Sequence, residues 1–138
     1  MKKNDCIFCK LANGDIPTNS IYEDKDFNVI LDASPASKGH ALILPKEHYA
    51  NIYEIDEDTL GKAAVLAKKI IAQEKDILKC DGYNVLQNNG ETAGQTVFHF
   101  HMHLIPRYAS EEDAKMLEWE HKEYTDEEMK TICNDMKL

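Results

Sequence analysis

A chain of 138 residues, 43% hydrophobic and 30% charged, is long enough for one domain with a proper core. Its net charge of −9 argues against broad nucleic-acid binding, which needs a basic footprint, yet a few backbone N–H groups could still hold a small anion. The apolar stretches are far too short to span a bilayer, so no membrane partner is expected.

Met1–Asp5 runs into Cys6 without an apolar secretory core, which makes the cytoplasm the expected compartment. Asp5 caps a short helix to about Ala12 or Asn13, with Gly14 as terminator, and Cys6 and Cys9 share one face of it. Strands follow at Ile21–Glu23 and Phe27–Asp32, separated by the polar turn Asp24-Lys25-Asp26. The run Asp32–Gly39 is a loop of small and turn-forming residues, and His40–Pro45 is a strand. A long helix spans about Glu57 to Leu78, because Leu60, Ala63, Ala64, Ala67, Ile70, Ile71 and Leu78 recur at helical spacing. Asp81-Gly82 turns the chain into a strand over Tyr83–Asn88, and a polar, glycine-bearing loop covers Asn89–Thr96.

Val97–Ile105 is then read as a strand with His99, His101 and His103 at alternate positions, ending at Pro106-Arg107. Alternation puts the three imidazoles on one face, successive ones ~6.6–6.8 Å apart, and Phe98, Phe100, Met102 and Leu104 on the core face. From Ser110 the composition turns acidic and polar, and Thr125 with Glu128 forms a capping-box pattern for a terminal helix over 126–137. Cys80 and Cys133 stand alone and read as packing residues, and Trp119 and His121 as packing and surface residues. The elements add up to one α+β domain over 1–138.

Two kinds of chemistry suit three imidazoles in a row: a metal site built from all three, or a nucleophile with helpers. Cys6 and Cys9 are half of a zinc site and need two more ligands, which His48 and His99 could supply. Four protein ligands leave no open position, so that site would be structural. His101 and His103 then remain for chemistry. A neutral His101 attacking phosphorus would split a hard displacement into two easier ones, and His103 would stabilise charge on the phosphoryl oxygens. Gly90 and Gly94 permit close backbone approach just before the histidines, and Gln95 and Thr96 offer side-chain donors.

The run Gly94-Gln95-Thr96-Val97-Phe98-His99-Phe100-His101-Met102-His103 resembles the signature of the histidine-triad (HIT) nucleotide hydrolases and transferases. Cys6-Ile7-Phe8-Cys9, Ile16-Pro17, Tyr22-Glu23-Asp24, Leu31–Pro35 and Gly39-His40 through His48 fall in that family's order, so the resemblance covers about residues 5–108. It is nearest to the phosphoramidase (HINT-type) branch in its bacterial, zinc-carrying form.

The resemblance implies a nucleotide phosphoramidase acting on AMP-type substrates. Dinucleoside polyphosphate hydrolysis, or nucleotide binding for regulation, would be the alternatives. It makes His101 the nucleophile and places His103 and His40 on the phosphate. Asn88, Gln95 and Thr96 would hold the phosphate and leaving group, and Asp32 the ribose hydroxyls. Ile7, Phe8 and Ile30 would form the base pocket, and Cys6, Cys9, His48 and His99 would bind zinc, with no metal required at the reacting phosphate. The implied fold is an antiparallel sheet of about five strands with a long helix. Two copies would join into a continuous sheet through the long helix and a sheet edge. Thr96 stands where many relatives of this branch have serine, and 109–138 lies beyond the signature.

Overall fold

The apolar strands at the centre of the sheet bury both faces, and the alternation along them decides which helix covers each. The computed structural model describes residues 1–110 and 117–138. A helix over Ile7–Ala12 (α1) precedes strands Ser20–Glu23 (β1), Phe27–Leu31 (β2) and Ala41–Pro45 (β3). The helix Glu57–Leu78 (α2), strand Gly82–Leu86 (β4), a 3-10 turn at Glu91–Ala93, strand Met102–Arg107 (β5) and helix Asp126–Met136 (α3) follow. The five strands form one antiparallel sheet in the order β1-β2-β3-β5-β4.

On one face Phe27, Val29, Ala41, Ile43, Met102 and Leu104 pack against α2, whose buried stripe Ala63, Leu66, Ala67 and Ile70 has the spacing i, i+3, i+4, i+7. On the other face Ile30, Leu42 and Leu44 pack against α1 through Ala12, Phe8 and Leu11. All five residues of β3 are therefore buried, as expected of a strand covered on both sides. His103 pairs with Leu42 in the register and so lies on the α1 face. His103, expected to contact the phosphate, thus sits on the side of the sheet covered by the short N-terminal helix, away from α2.

The capping chemistry largely follows the sequence. Asp56 accepts from the Thr59 N–H at 2.8 Å to start α2, and these bonds hold its carboxyl down at about 2. The Thr125–Glu128 capping box starts α3 with both reciprocal bonds present. At α1 the expectation needs correction. The N-cap is Cys6, not Asp5, and its Sγ accepts from the Cys9 N–H at 3.3 Å. Gly14 terminates α1 as expected, with φ +80 and the Asp15 N–H reaching back to the Lys10 carbonyl.

The larger correction concerns the histidine run, because β5 begins only at Met102. His99 and His101 precede it on a bent segment, and Phe98 is half exposed rather than in the core. The bend lets the His99 ring turn back to the end of β3, which a straight strand would not allow. β4 likewise stops at Leu86, leaving Asn88 in the following loop. Part of the C-terminal segment, residues 111–116, lies outside the described residues, and Trp119 and His121 are exposed. Among the described residues no helix is long and apolar enough to cross a membrane.

Candidate functional site

Hydrogen bonds to groups of fixed polarity assign a tautomer to each imidazole. His101 Nδ1 lies 2.7 Å from the His99 carbonyl, which can only accept. Its Nδ1 therefore carries the proton, and its Nε2 keeps a free lone pair. His40 Nδ1 receives the Ala36 N–H at 2.9 Å, so the neutral ring carries its proton on Nε2. That Nε2–H donates to His103 Nδ1 at 2.9 Å, which leaves the His103 proton on Nε2. A backbone amide in the Ser34–Gly39 loop thus dictates, through two rings, that His103 presents a donor.

Burial keeps these rings neutral. It is the main reason His103 is pushed down to about 4, with the neighbouring His101 and His40 adding to it and the Asp32 carboxylate opposing. Burial also lowers His101, against the His99 carbonyl and Asp32, and it lowers His40 with Asp32 opposing. Asp32 Oδ2 is 3.5 Å from His40 Nε2, and its Oδ1 accepts from the Ser34 N–H at 2.8 Å. Phe8 meets His101 edge-on, with centroids 4.9 Å apart.

Of these groups Phe8, Asp32, His101 and His103 line a cavity of 780 Å³, and His40 stands behind His103, not among the lining residues. Asp32, Ser34, Thr96, His101 and His103 supply its polar wall, and Phe8, Leu11, Ile30 and Leu42 an apolar one. Of the residues expected to hold a base, Phe8 and Ile30 line it. Ile7 instead faces a neighbouring cavity of 420 Å³. Asn88 is not among the lining residues, and its amide lies against Gly94.

Gln95 is 1% exposed, and its amide is used within the protein. Nε2 donates to the carbonyls of Ala50 and Val97, and Oε1 accepts from the Gly90 N–H. Leu11, Leu42, Ser34 and the Ala36 amide were not singled out from the sequence. The alternation of Leu42 with Ile43 is the signal for Leu42, and the i, i+3 spacing of Phe8 and Leu11 on α1 the signal for Leu11, whereas a backbone amide leaves none.

A second cluster joins α1 to the end of β3. Cys6, Cys9, His48 and His99 bring four ligand atoms within 4.8 Å of one another. His99 Nδ1 is 3.5 Å from Cys6 Sγ and 3.4 Å from Cys9 Sγ, and His48 Nδ1 is 3.3 Å from Cys9 Sγ. Bonds of about 2.3 Å to sulfur and about 2.0 Å to nitrogen in a tetrahedron give ligand separations of roughly 3.5 Å, so the cluster fits zinc. His99 Nε2 donates to the Pro45 carbonyl at 2.8 Å, which frees Nδ1 as a ligand. Burial pushes the His99 ring down to about 4 and raises the Cys9 thiol, so a bound cation would have to draw that proton off. Asp32, His40 and His103 also lie within 4.8 Å of one another, but they fit a metal poorly. Ligation through His40 Nε2 would move its proton to Nδ1, against the Ala36 N–H.

Residues 13–110 match the family model described as the HIT domain. The chain is 39% identical over 131 residues to adenosine 5'-monophosphoramidase hnt1 of Schizosaccharomyces pombe, covering 95% of each. It is 46% identical over 104 residues to Protein hit of Bacillus subtilis, covering 75% of this chain and 72% of that protein. SMU.412c from Streptococcus mutans superposes with a TM-score of 0.89 at 41% identity, covering 97% of this chain and 84% of that one. A Zn-bound histidine triad family protein from Mycobacterium smegmatis superposes at 0.76 and 36% identity, covering 80% of each.

Proposed function

Because the chain belongs to the HIT domain family and is one of its nucleotide hydrolases, we propose that it cleaves purine nucleotide phosphoramidates to AMP through a covalent nucleotidyl intermediate on His101. The observation that carries this reading is the bond from His101 Nδ1–H to the His99 carbonyl, which aims an unprotonated Nε2 into the cavity. That lone pair attacks phosphorus. The P–N bond breaks with its electron pair going to nitrogen, which takes up a proton as the amine leaves. Water then cleaves the N–P bond to His101 and releases AMP.

His103 presents its Nε2–H to a phosphoryl oxygen, with His40 holding it in that tautomer. Charge on the phosphoryl group is met by these imidazoles, so no metal is assigned there. Asp32 accepts from the ribose hydroxyls, and Phe8 and Ile30 flank the base with Leu11 and Leu42. Thr96 stands on the leaving-group side. Gln95 and Asn88 act by holding the loop that precedes the histidines, and Ile7 lies outside the base pocket.

Zinc held by Cys6, Cys9, His48 and His99 would be structural, tying α1 to the sheet. The relative from Mycobacterium smegmatis, described as Zn-bound, supports this assignment. A homodimer is supported by the edge strand β4 and the apolar hollow of Ala64, Ala67, Ile71, Val85 and Met102 beside it, a surface suited to a second copy. Four free cysteines favour a reducing compartment, the cytoplasm.

The test is turnover of adenosine 5′-phosphoramidate without added divalent metal by wild type and His101→Ala, with intact mass spectrometry for an adenylylated protein. AMP release and an adduct in wild type alone support the reading. A folded wild type that binds AMP and turns over nothing is a nucleotide-binding protein. Faster turnover of diadenosine polyphosphates would move the substrate class.

A further inference from the structure

The helix α3 has no core beneath it. None of its residues is buried, and among the described residues it makes at most marginal contact with any other element. Its 11 residues are fewer than an isolated helix needs to hold its shape in water, even with a capping box. Met129, Ile132, Cys133 and Met136 recur at i, i+3, i+4 and i+7, the spacing of a helix that lies in a groove, and form one exposed apolar stripe. The stripe has flanks of opposite sign. At about 100° per residue, Glu128 and Asp135 lie on one side of it, and Lys130 and the C-cap Lys137 on the other. Asp126 also falls on the basic side, at the N-terminal end. A helix this acidic is a poor ligand for an anionic lipid surface, which favours lysine and arginine.

A groove of 690 Å³ between α2 and the β1–β2 turn carries the complementary pattern. The buried side chains of Phe27, Leu66 and Ile70 line it, and Val65 and Tyr22 stand 55% and 41% exposed at its edges. Lys62 and Lys69 mark its α2 side, and Asp24 and Asp26 the side of the turn. Glu57 and Asp58 close the end at the start of α2, where Lys62 lies 3.0 Å from Asp58 and 3.7 Å from Asp26.

The two surfaces share a repeat. Lys62 and Lys69 are one heptad apart on α2, as Glu128 and Asp135 are on α3, so each pair spans about 10.5 Å along its helix. The hand of the α-helix then selects a direction. With the stripe facing the groove, an antiparallel α3 turns Glu128 and Asp135 toward the α2 lysines and its own lysines toward Asp24 and Asp26. A parallel α3 reverses both flanks and opposes like charges. The antiparallel register sets Asp135 by Lys62, Ile132 by Val65 and Glu128 by Lys69, with Asp126 at the far end toward Gln73.

We propose that α3 docks antiparallel to α2 in this groove of a second copy of the chain. Both halves of the match lie on one sequence, while α3 stands clear of its own body. Residues 108–125 span up to about 60 Å when extended, enough to cross to a neighbour. The groove lies on the opposite flank of α2 from the hollow beside β4, so this contact is additional to pairing through that hollow and independent of the reaction.

Cross-linking of the full-length protein reads the contact directly. In a Cys133→Ser background, Val65→Cys and Ile132→Cys place thiols that the register sets opposite each other. Mild oxidation should then give a covalent dimer whose peptide map joins positions 65 and 132. The same disulfide in protein of monomer mass would mean that α3 folds back on its own chain, and overturns the proposal. Its absence, as when α3 seats on a different protein or a lipid surface, overturns it too. Adding Lys62→Glu should lower the yield about two- to fivefold, and adding Asp135→Lys to that variant should restore it. A yield that does not recover overturns the antiparallel register. A thermal midpoint close to wild type confirms the fold of each variant.

Discussion

Gln95 offers the sharpest test of how the site is held. If its amide is a strut, replacing it should cost stability before it costs anything else. Gln95→Met keeps the length of the side chain and removes three hydrogen bonds, at 2.7 and 3.0 Å from Nε2 and 2.9 Å to Oε1. Each is worth about 0.5–1.5 kcal/mol net, and leaving partners unpaired adds to that. The partners on Ala50, Val97 and Gly90 are only half-buried, so water recovers part of the loss. The sum is about 2–4 kcal/mol. For a domain of this size, unfolding entropy of about 2.1 cal/mol/K per residue turns 3 kcal/mol into a drop of roughly 10 °C in Tm. Gln95→Glu should be worse at neutral pH, because a carboxylate would then face two carbonyls. Urea unfolding monitored by circular dichroism measures both variants. A loss below about 1 kcal/mol together with a large fall in kcat/KM would refute the strut and return the amide to the substrate.

Three further perturbations address other parts of the molecule. Stripping the metal cluster with a strong chelator should lower Tm by 10 °C or more, since structural zinc binding is coupled to folding; a Tm unmoved in protein shown to be metal-loaded beforehand would count against a structural ion. Gly39→Ala should lower Tm by about 5–10 °C, because φ is +89 and the new Cβ would lie 2.6 Å from Leu78 Cδ1, whereas Gly14→Ala, at φ +80 with open space around it, should cost about half as much; equal losses would remove the steric part of the argument. His103 and His40 both titrate lower in the folded protein than the ordinary imidazole near 6.5, His103 at about 4, so below 6.5 the unfolded chain binds more protons. Their contribution to stability is thus full above 6.5 and shrinks as pH falls, that of His103 until about 4, and urea midpoints at pH 7 and pH 5 should differ in that direction; the opposite order would mean that the rings are charged in the fold.

The elements that could be read from the sequence are those whose burial is periodic. The bounds of α2 agree with the expectation because a four-residue buried stripe and a strong cap at Asp56 act in the same register. The strands β2 and β3 could be read because apolar runs between turn residues leave few alternatives. Alternation predicts a strand from Val97, but β5 starts at Met102, because alternation describes side-chain direction only while the backbone stays extended. What bends it is long-range: the Phe100 N–H donates to the Tyr49 carbonyl at 2.6 Å, and the His99 ring is claimed by Pro45 and the two cysteines. No local pattern encodes those partners. Residue chemistry did anticipate the cysteine–histidine cluster, because four such ligands in one small chain have few other uses. The Ala36 amide that sets the tautomer of His40 could not be found that way, since every non-proline residue carries the same group.

His99 connects the two clusters by dividing its own atoms between them. Its ring belongs to the cysteine group, with Nε2 anchored on Pro45 and Nδ1 turned to Cys6 and Cys9. Its carbonyl belongs to the reacting group, where it fixes the proton on His101 Nδ1. A rotation of the His99 backbone large enough to free the ring would also move that carbonyl. His101 would then be free to place its proton on Nε2 and lose the lone pair that faces the cavity. The dependence runs one way, because nothing in the His101 ring holds His99 apart from that one bond. Damage to the metal cluster should therefore lower kcat through the tautomer of His101, while loss of the His101 ring should leave the cysteine cluster intact. In metal-depleted protein that still folds, imidazole ¹⁵N shifts would place the His101 proton on both nitrogens in exchange. Retention of a single Nδ1–H tautomer there would show that the backbone holds the carbonyl in place without help from the ring.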